Sequence, residues 1–282
     1  MIDVVAGLDD MKSLRRSWKA GGKIIGFVPT MGYLHEGHLS LVRESKRQTD
    51  VTVVSIFVNP AQFGPAEDLD RYPRDMERDK RLLEKEKVDC LFLPHREAIY
   101  PTGYSTWVEI HGLQDGLCGR SRPGHFRGVS TVVLKLFNIV RPDKAFFGWK
   151  DAQQFVLLKR MVTDLDLEVT MEGMPTVREP DGLAMSSRNT YLSPEERQAA
   201  LVIPRSLEAA EDLVRGGERR AEKVLETIKK TINGEALARL DYAELVDLWS
   251  LEPLSVIKGE VLMAVAVYIG KTRLIDNIRL KV

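Results

Sequence analysis

Residues 23–38 read KIIGFVPTMGYLHEGH, a β-rich run that stops at Pro29 and opens into a turn carrying two histidines. Residues 23–28 predict a strand, and the apolar periodicity of 39–48 (LSLVRESKRQ) predicts a helix behind the turn. Downstream, residues 51–58 (VTVVSIFV) form an eight-residue apolar, β-branched run of the kind found in a buried parallel strand. Residues 75–87 are charged, with Met76, Leu82 and Leu83 along one face, and predict a surface helix; 88–94 (VDCLFLP) predict the next strand. Val129, Val132, Val133, Leu136, Phe137 and Val140 recur at helical spacing, 144–148 (KAFFG) read as a strand, and a helix is expected from Ala152 to about Thr163. Strands alternating with helices predict an α/β fold, a parallel sheet covered on both faces.

The final third changes character. Ser193-Pro194-Glu195-Glu196 combines an N-cap serine, proline at the first helical position and glutamate at the third. The helical pattern that follows is interrupted at Pro204 and stopped by Gly216-Gly217, and a second helix is expected from about Glu218 to Ile232. Then come LDYAELVD, VLMAVAVYI and TRLIDNIRL, three strand-like runs with no helix between them. That is an α+β pattern and predicts a smaller second domain.

Composition narrows the class. The chain has 282 residues, 41 Lys+Arg against 41 Asp+Glu, 44% hydrophobic and 29% charged residues, as expected of a soluble globular protein with a full core. Zero formal charge gives no support to a nucleic-acid binder working by bulk charge. Two cysteines, Cys90 and Cys118, exclude a disulfide scaffold, and no CxxC zinc cluster is present. The opening MIDVVAGLDDMKSLRR shows no signal-peptide pattern and no apolar run is long enough to span a membrane, so a cytoplasmic protein is expected.

Five stretches carry chemistry. In Met31-Gly32-Tyr33-Leu34-His35-Glu36-Gly37-His38, two imidazoles flank Gly37 between a strand and a helix, where anions bind. Both can donate to an α-phosphate as charge builds on its oxygens. A surface role for each histidine competes, as does zinc, though H-E-G-H is one residue short of H-E-x-x-H. Gly182-Leu183-Ala184-Met185-Ser186-Ser187-Arg188-Asn189 offers two hydroxyls and a guanidinium that suit a triphosphate, or is an ordinary polar linker. In Gly148-Trp149-Lys150-Asp151-Ala152-Gln153-Gln154, Lys150 can hold a phosphate while Asp151 more simply caps a helix. Gln153 and Gln154 lie about 100° apart on that helix, so at most one faces a ligand squarely. Asn59-Pro60-Ala61-Gln62 ends the second strand with a neutral donor and acceptor suited to a hydroxy acid, or with a solvated turn. Arg120-Ser121-Arg122-Pro123-Gly124-His125 is a basic loop that can receive an anion or stay solvated. No P-loop, G-x-G-x-x-G or G-x-S-x-G motif is present at the positions those chemistries need.

Taken in order, PTMGYLHEGH, VNPAQFG, RPGHF, FFGWKDAQQ and TVREPDGLAMSSRN resemble the pantothenate synthetase (pantoate–β-alanine ligase) family of the HxGH-containing nucleotidylyltransferase superfamily, over essentially the whole chain. The resemblance implies a Rossmann-like parallel-sheet N-terminal domain and a smaller α+β C-terminal lid, and it helps to fix the boundary at 1–176 and 177–282. It implies an ATP-dependent ligase forming pantothenate from (R)-pantoate and β-alanine through a pantoyl adenylate, with Mg²⁺ and a homodimer. Carried over residue by residue, Met31 to His38, Gly148 to Asp151, Val177 and Met185 to Arg188 line the ATP site, with His38 as proton donor. Gln62 and Gln154 contact pantoate, Gln62 also lying near β-alanine. Asn59, Tyr72, Arg122 and His125 shape the same cavity, and Asp79 helps to place Mg²⁺. His35 and His38 then serve the α-phosphate, while Lys150 and Arg188 hold the departing pyrophosphate. One departure stands out: the family usually has Glu where Trp149 stands. Two other readings use parts of the same sequence. A nucleotidylyltransferase acting on a phosphorylated acceptor would be expected to carry Arg or Lys where Gln62 and Gln154 stand. A non-catalytic ATP sensor would be expected to lack some of His35, His38, Lys150 and Arg188, all of which are present.

Overall fold

The computed structural model describes residues 2–65 and 67–282. The chain divides into two compact units, one built from Met1–His111, Arg122–Trp149 and Leu157–Pro175, the other from Gly112–Ser121, Lys150–Val156 and Thr176–Val282. In chain order the elements are β1 (Asp3–Val5), α1 (Leu8–Ala20), β2 (Ile25–Thr30), α2 (Glu36–Gln48), β3 (Val51–Ile56), α3 (Met76–Lys85), β4 (Cys90–Phe92), α4 (Arg96–Ile99), α5 (Cys118–Ser121), α6 (His125–Val140), β5 (Lys144–Gly148), α7 (Ala152–Asp164) and β6 (Thr170–Met174). They are followed by α8 (Pro194–Ala199), α9 (Val202–Arg215), α10 (Ala221–Asn233), β7 (Ala238–Asp247), β8 (Glu260–Ile269) and β9 (Thr272–Lys281).

In the first unit six strands pair in parallel in the order β1-β4-β3-β2-β5-β6. Successive side chains of a strand leave opposite faces, and Phe27 and Val28, like Val53 and Val54, are all fully buried, so both faces of the central strands are covered. Phe27 meets Phe137 of α6 edge-on, whereas Val28 shares a core cluster with Leu41 and Val42 of α2, which places those helices on opposite faces. The chain leaves β2 toward β3 on one side and reaches β5 on the other. The β2/β5 border is therefore the topological switch point, where open α/β sheets bind ligands beyond the strands' carboxyl ends.

The first predicted strand lies two residues later than composition suggests, at 25–30, because pairing sets its limits: Ile24 accepts the Asp50 and Val51 amides and gives its own amide to the Asp50 carboxylate, and the ladder starts at Ile25 opposite Val51. Strand β3 ends at Ile56 and β4 covers only Cys90–Phe92, both shorter than the apolar runs that announce them. The edge strands β1 and β6 have largely exposed or half-buried side chains and no apolar signature. Helix α2 starts at Glu36, three residues before the apolar periodicity, because its cap is a histidine pair and not one of the usual capping residues.

The second unit holds the antiparallel sheet β7-β8-β9. Central strand β8 turns Val261, Met263, Val265, Val267 and Ile269 into a cluster with Leu207, Ala210 and Val214 of α9 and Val224, Ile228 and Ile232 of α10. Ser193 and Glu196 form the expected capping box on α8, and Gly216 ends α9. The expected interruption at Pro204 falls earlier. Helix α8 stops at Ala199 and Pro204 sits in the first turn of α9, where a missing N–H costs nothing. Helix α10 begins at Ala221, after the Glu218 carboxylate has taken the amides of Arg219 and Arg220.

Candidate active site

Within the first unit, the loop leaving β2 folds back sharply. Gly32 lies at φ +82° and Tyr33 at φ +50°, and a Cβ on Gly32 would stand 2.9 Å from Ile56 Cγ2 and 3.2 Å from Asp79 Oδ2. Glycine is required there on both counts. Thr30 Oγ1 accepts the Gly32 amide at 3.1 Å while donating to the Ser55 carbonyl at 2.8 Å. Asp79, on α3 and 1% exposed, accepts the amides of Tyr33 and Leu34 at 2.6 and 2.8 Å. Burial pushes the Asp79 carboxyl above its ordinary value, while the two amides and Arg78 pull the other way. Arg78 also lies over the Tyr33 ring, 5.1 Å from its centroid.

This loop delivers His35 as the N-cap of α2. His35 Nδ1 accepts the Gly37 amide at 3.2 Å, His38 Nδ1 accepts the His35 amide at 3.3 Å, and the two ring centroids are 4.1 Å apart. A nitrogen that accepts a main-chain N–H carries no proton of its own, so in both rings the neutral tautomer is the one protonated on Nε2. Two Nε2–H donors thus arise side by side at a helix N-terminus. Glu36 is exposed and ion-paired to Arg43, which also grips Glu86, so it ties α2 to α3.

A second group surrounds Gln62. Asn59 caps the 3-10 turn Pro60–Gln62, accepts from Ala61 N and from the Tyr100 hydroxyl, and donates to Gln62 Oε1 at 3.1 Å and to the Gly128 carbonyl at 3.0 Å. Gln62 Nε2 donates to Met31 Sδ at 2.8 Å, joining this group to the histidine loop. A Cβ on Gly128 would lie 2.2 Å from the Ala61 carbonyl oxygen and 2.7 Å from Gln62 N, so α6 touches this turn only because residue 128 has no side chain. His125 Nδ1 lies 2.8 Å from the Gln62 carbonyl, which can only accept; Nδ1 is therefore protonated and Nε2 accepts from Arg122 at 3.1 Å. Arg122 also holds Glu67 in a two-pronged pair. Burial pushes the Glu67 carboxyl up, but the bond to Arg122 and its charge outweigh this and hold it below the usual range. Tyr72 is buried edge-on to Phe63.

Gly148 ends β5 beside the switch point, and Trp149 opens a 3-10 turn with its indole buried. Within the second unit, Lys150 has a side chain 20% exposed, 3.9 Å from the exposed Asp151. The two glutamines on α7 part company. Gln153 is buried and fully engaged, donating to the carbonyls of Leu113 and Gly116 and accepting the Cys118 amide, each at 2.9 Å. Gln154 is half-buried on a different face. Val177 and Met185 close a small hairpin, the Met185 amide donating to the Val177 carbonyl, with Gly182 at φ +93° in its turn. Ser186 then caps the 3-10 turn Ser187–Tyr191 by accepting the Arg188 amide, and Ser187 is buried. A small cavity is lined by Lys150, Ser186, Asn189 and Asp276, among others, and Asn189 Oδ1 is buried there without a hydrogen bond.

Asp79, the residue expected to help place Mg²⁺, is where α3 ties down the histidine loop. Each of its oxygens accepts one amide, at 2.6 and 2.8 Å, and keeps a further lone pair. Magnesium commonly uses few protein carboxylates and takes its other ligands from phosphates and water. Sequence reasoning missed Glu67, Tyr100, Gly128, Arg178, Asp276 and Asn277. Each acts on a partner far along the chain, 55 residues for Glu67 with Arg122 and 127 for Asn277 with Lys150, so no local spacing announces it.

A family model described as pantoate-beta-alanine ligase matches residues 3–279. The pantothenate synthetase of Thermotoga petrophila is 58% identical over 274 residues, 97% of this chain and 98% of that one. That of Caldicellulosiruptor saccharolyticus is 56% identical over 279 residues, 99% of each. Among solved structures, the pantothenate synthetase of Thermus thermophilus superposes with a TM-score of 0.93 at 44% identity, covering 98% of this chain and 99% of that one. The pantoate-beta-alanine ligase of Francisella tularensis, complexed with beta-gamma ATP and beta-alanine, does so with a TM-score of 0.80 at 36% identity, covering 99% and 97%.

Proposed function

The chain belongs to the pantoate–β-alanine ligase family and joins pantoate to β-alanine at the expense of ATP; from that premise we propose how its residues divide the work. In the first step the carboxylate of (R)-pantoate attacks the α-phosphorus of ATP and pyrophosphate leaves, giving pantoyl adenylate. In the second, the neutral amine of β-alanine attacks the acyl carbon, giving pantothenate and AMP. No covalent enzyme nucleophile is needed, so the chain's task is to position reactants and stabilise spreading phosphoryl charge.

The observation that carries this reading is the pair of main-chain amides that reach Nδ1 of His35 and His38. With both Nδ1 atoms turned to main-chain amides, His35 and His38 present Nε2–H donors to the α-phosphate, His38 as the proton donor. Such preorganised donors cost no rotation at the moment of reaction, and losing one is worth about 10²–10³ in rate. The Met31–His38 loop receives ATP in the first unit. Gly148–Asp151, Val177 and Met185–Arg188 serve the same nucleotide, Lys150 and Arg188 on the departing pyrophosphate. Gln62 and Gln154 recognise pantoate through neutral amides, with Asn59, Tyr72, Arg122 and His125 shaping the pocket around Gln62. Residues 1–176 are assigned as the ATP- and pantoate-binding domain and 177–282 as the domain supplying the triphosphate contacts. Mg²⁺ held with the ATP phosphates would help to neutralise the leaving pyrophosphate beside Lys150 and Arg188, with Asp79, which ties down the histidine loop, helping to place it. Among the described residues no helix is long and apolar enough to cross a membrane, and a cytoplasmic homodimer is the working assembly.

Exchange of labelled pyrophosphate into ATP with Mg²⁺, with and without (R)-pantoate and in the absence of β-alanine, tests the scheme. Exchange that depends on pantoate is expected. Its absence there, with product formed once β-alanine is added, would refute a free-standing adenylation step.

A further inference from the structure

We propose that Asn277, on the last strand of the chain, is a positioning residue for Lys150, held in place for that task by the Asp276–Arg178 pair; this rests on the assignment of Lys150 to the departing pyrophosphate. Asn277 is buried in β9, opposite Ala264 of β8, and its Nδ2–H donates to the Lys150 carbonyl at 2.9 Å. Lys150 lies between the end of β5 and the start of α7, in a 3-10 turn only three residues long, which supplies few main-chain bonds of its own. A side-chain amide on its carbonyl therefore fixes the peptide from which the ammonium-bearing chain departs.

The donor is itself held. Asp276, 2% exposed, accepts the Asn277 amide at 2.8 Å, and its two oxygens take Arg178 Nη1 at 2.6 Å and Nη2 at 3.0 Å. Arg178 Nη1 also donates to the Gly182 carbonyl at 3.0 Å, in the hairpin that leads into Met185–Arg188. Neighbouring side chains on a strand leave opposite faces, so two consecutive residues of β9 reach two separate segments. Asn277 holds the lysine turn and Asp276, through Arg178, holds the hairpin before the Ser-Ser-Arg cluster. A two-pronged pair between a half-buried arginine and a buried carboxylate is directional, which suits it to this role.

The test is a double-mutant cycle on pyrophosphate exchange between Asn277→Ala and Lys150→Ala. Displacing a phosphate-holding group by about 1 Å costs up to about 10²-fold, so Asn277→Ala is expected to lower exchange by about 10- to 100-fold. The KM for ATP should rise, the KM for pantoate should hold and the melting temperature should stay near wild type. In the Lys150→Ala background the same substitution should cost less than about two-fold. Where the alanine variant fails to fold, Asn277→Asp carries the test, measured at a pH high enough to ionise the new carboxyl: it then keeps the shape but cannot donate, so it should lose at least as much activity. Additive losses, an unchanged Asn277→Ala rate, or an Asn277→Asp enzyme as fast as wild type would overturn the proposal while leaving Lys150 in its role. An unchanged rate in Lys150→Ala alone would overturn both.

Discussion

Removing the Asp79 carboxylate should damage this protein through the main chain of the histidine loop. The side chain is 1% exposed and accepts two amides, Tyr33 at 2.6 Å and Leu34 at 2.8 Å. Hydrogen bonds to a charged group contribute about 1.5–3 kcal/mol each, so the pair amounts to roughly 3–6 kcal/mol. The carboxylate also holds Tyr33 at φ +50°, a conformation that costs a non-glycine residue about 1–2 kcal/mol to keep. Water entering the vacated space recovers part of the loss, and we expect Asp79→Ala to lower unfolding free energy by about 3 kcal/mol. Asp79→Asn keeps one acceptor oxygen and turns an NH₂ toward the other amide, so it should recover at most about half. Because His35 and His38 follow directly, the loosened turn should also lower pyrophosphate exchange by about 10²-fold. Urea unfolding and exchange, each measured across a magnesium series, read both effects. A stability change below about 0.5 kcal/mol, small enough for an ordinary surface site, would refute the reasoning. So would recovery of exchange at high magnesium, which would trace the loss to the metal and not to the loop.

Gly128→Ala should push the Pro60–Gln62 turn away from α6, since the new Cβ would meet main-chain atoms at 2.2–2.7 Å; about 1–3 kcal/mol of stability and a raised KM for pantoate are expected, from unfolding curves and steady-state kinetics. Glu67 has a folded pKa depressed below its unfolded value by Arg122, so its contribution is present above the unfolded pKa of about 4.3 and lost as pH falls through the folded one. Glu67→Gln should therefore cost stability at neutral pH and converge with wild type under acid, as read by denaturation at a series of pH values. Burial pushes the Cys90 thiol up to about 12, with Asp3 and Asp89 adding to the shift. In mass spectrometry after alkylation at neutral pH, Cys90 should stay unmodified in the native protein and react once it is unfolded.

Local patterns made much of this protein legible. Alternating strands and helices, and the three uninterrupted strands at the end, announced a parallel sheet followed by a smaller α+β part, because the side-chain periods of strand and helix differ and each must bury one face. The strand-turn-helix setting of His35 and His38 was readable for the same reason, as was the Ser193–Glu196 cap, whose two partners lie within one helical turn. Tertiary structure alone decided how these side chains are held. The main chain turns its amides to Nδ1 of both histidines because the loop holds its shape, and it does so because Asp79, from a helix some 45 residues away, takes two amides. Gln153 is engaged by the carbonyls of residues 113 and 116, and Lys150 is gripped from the final strand. Sequence spacing expresses contacts within a turn or along a strand, whereas a hydrogen bond between residues a hundred positions apart exists only once the chain has closed around it.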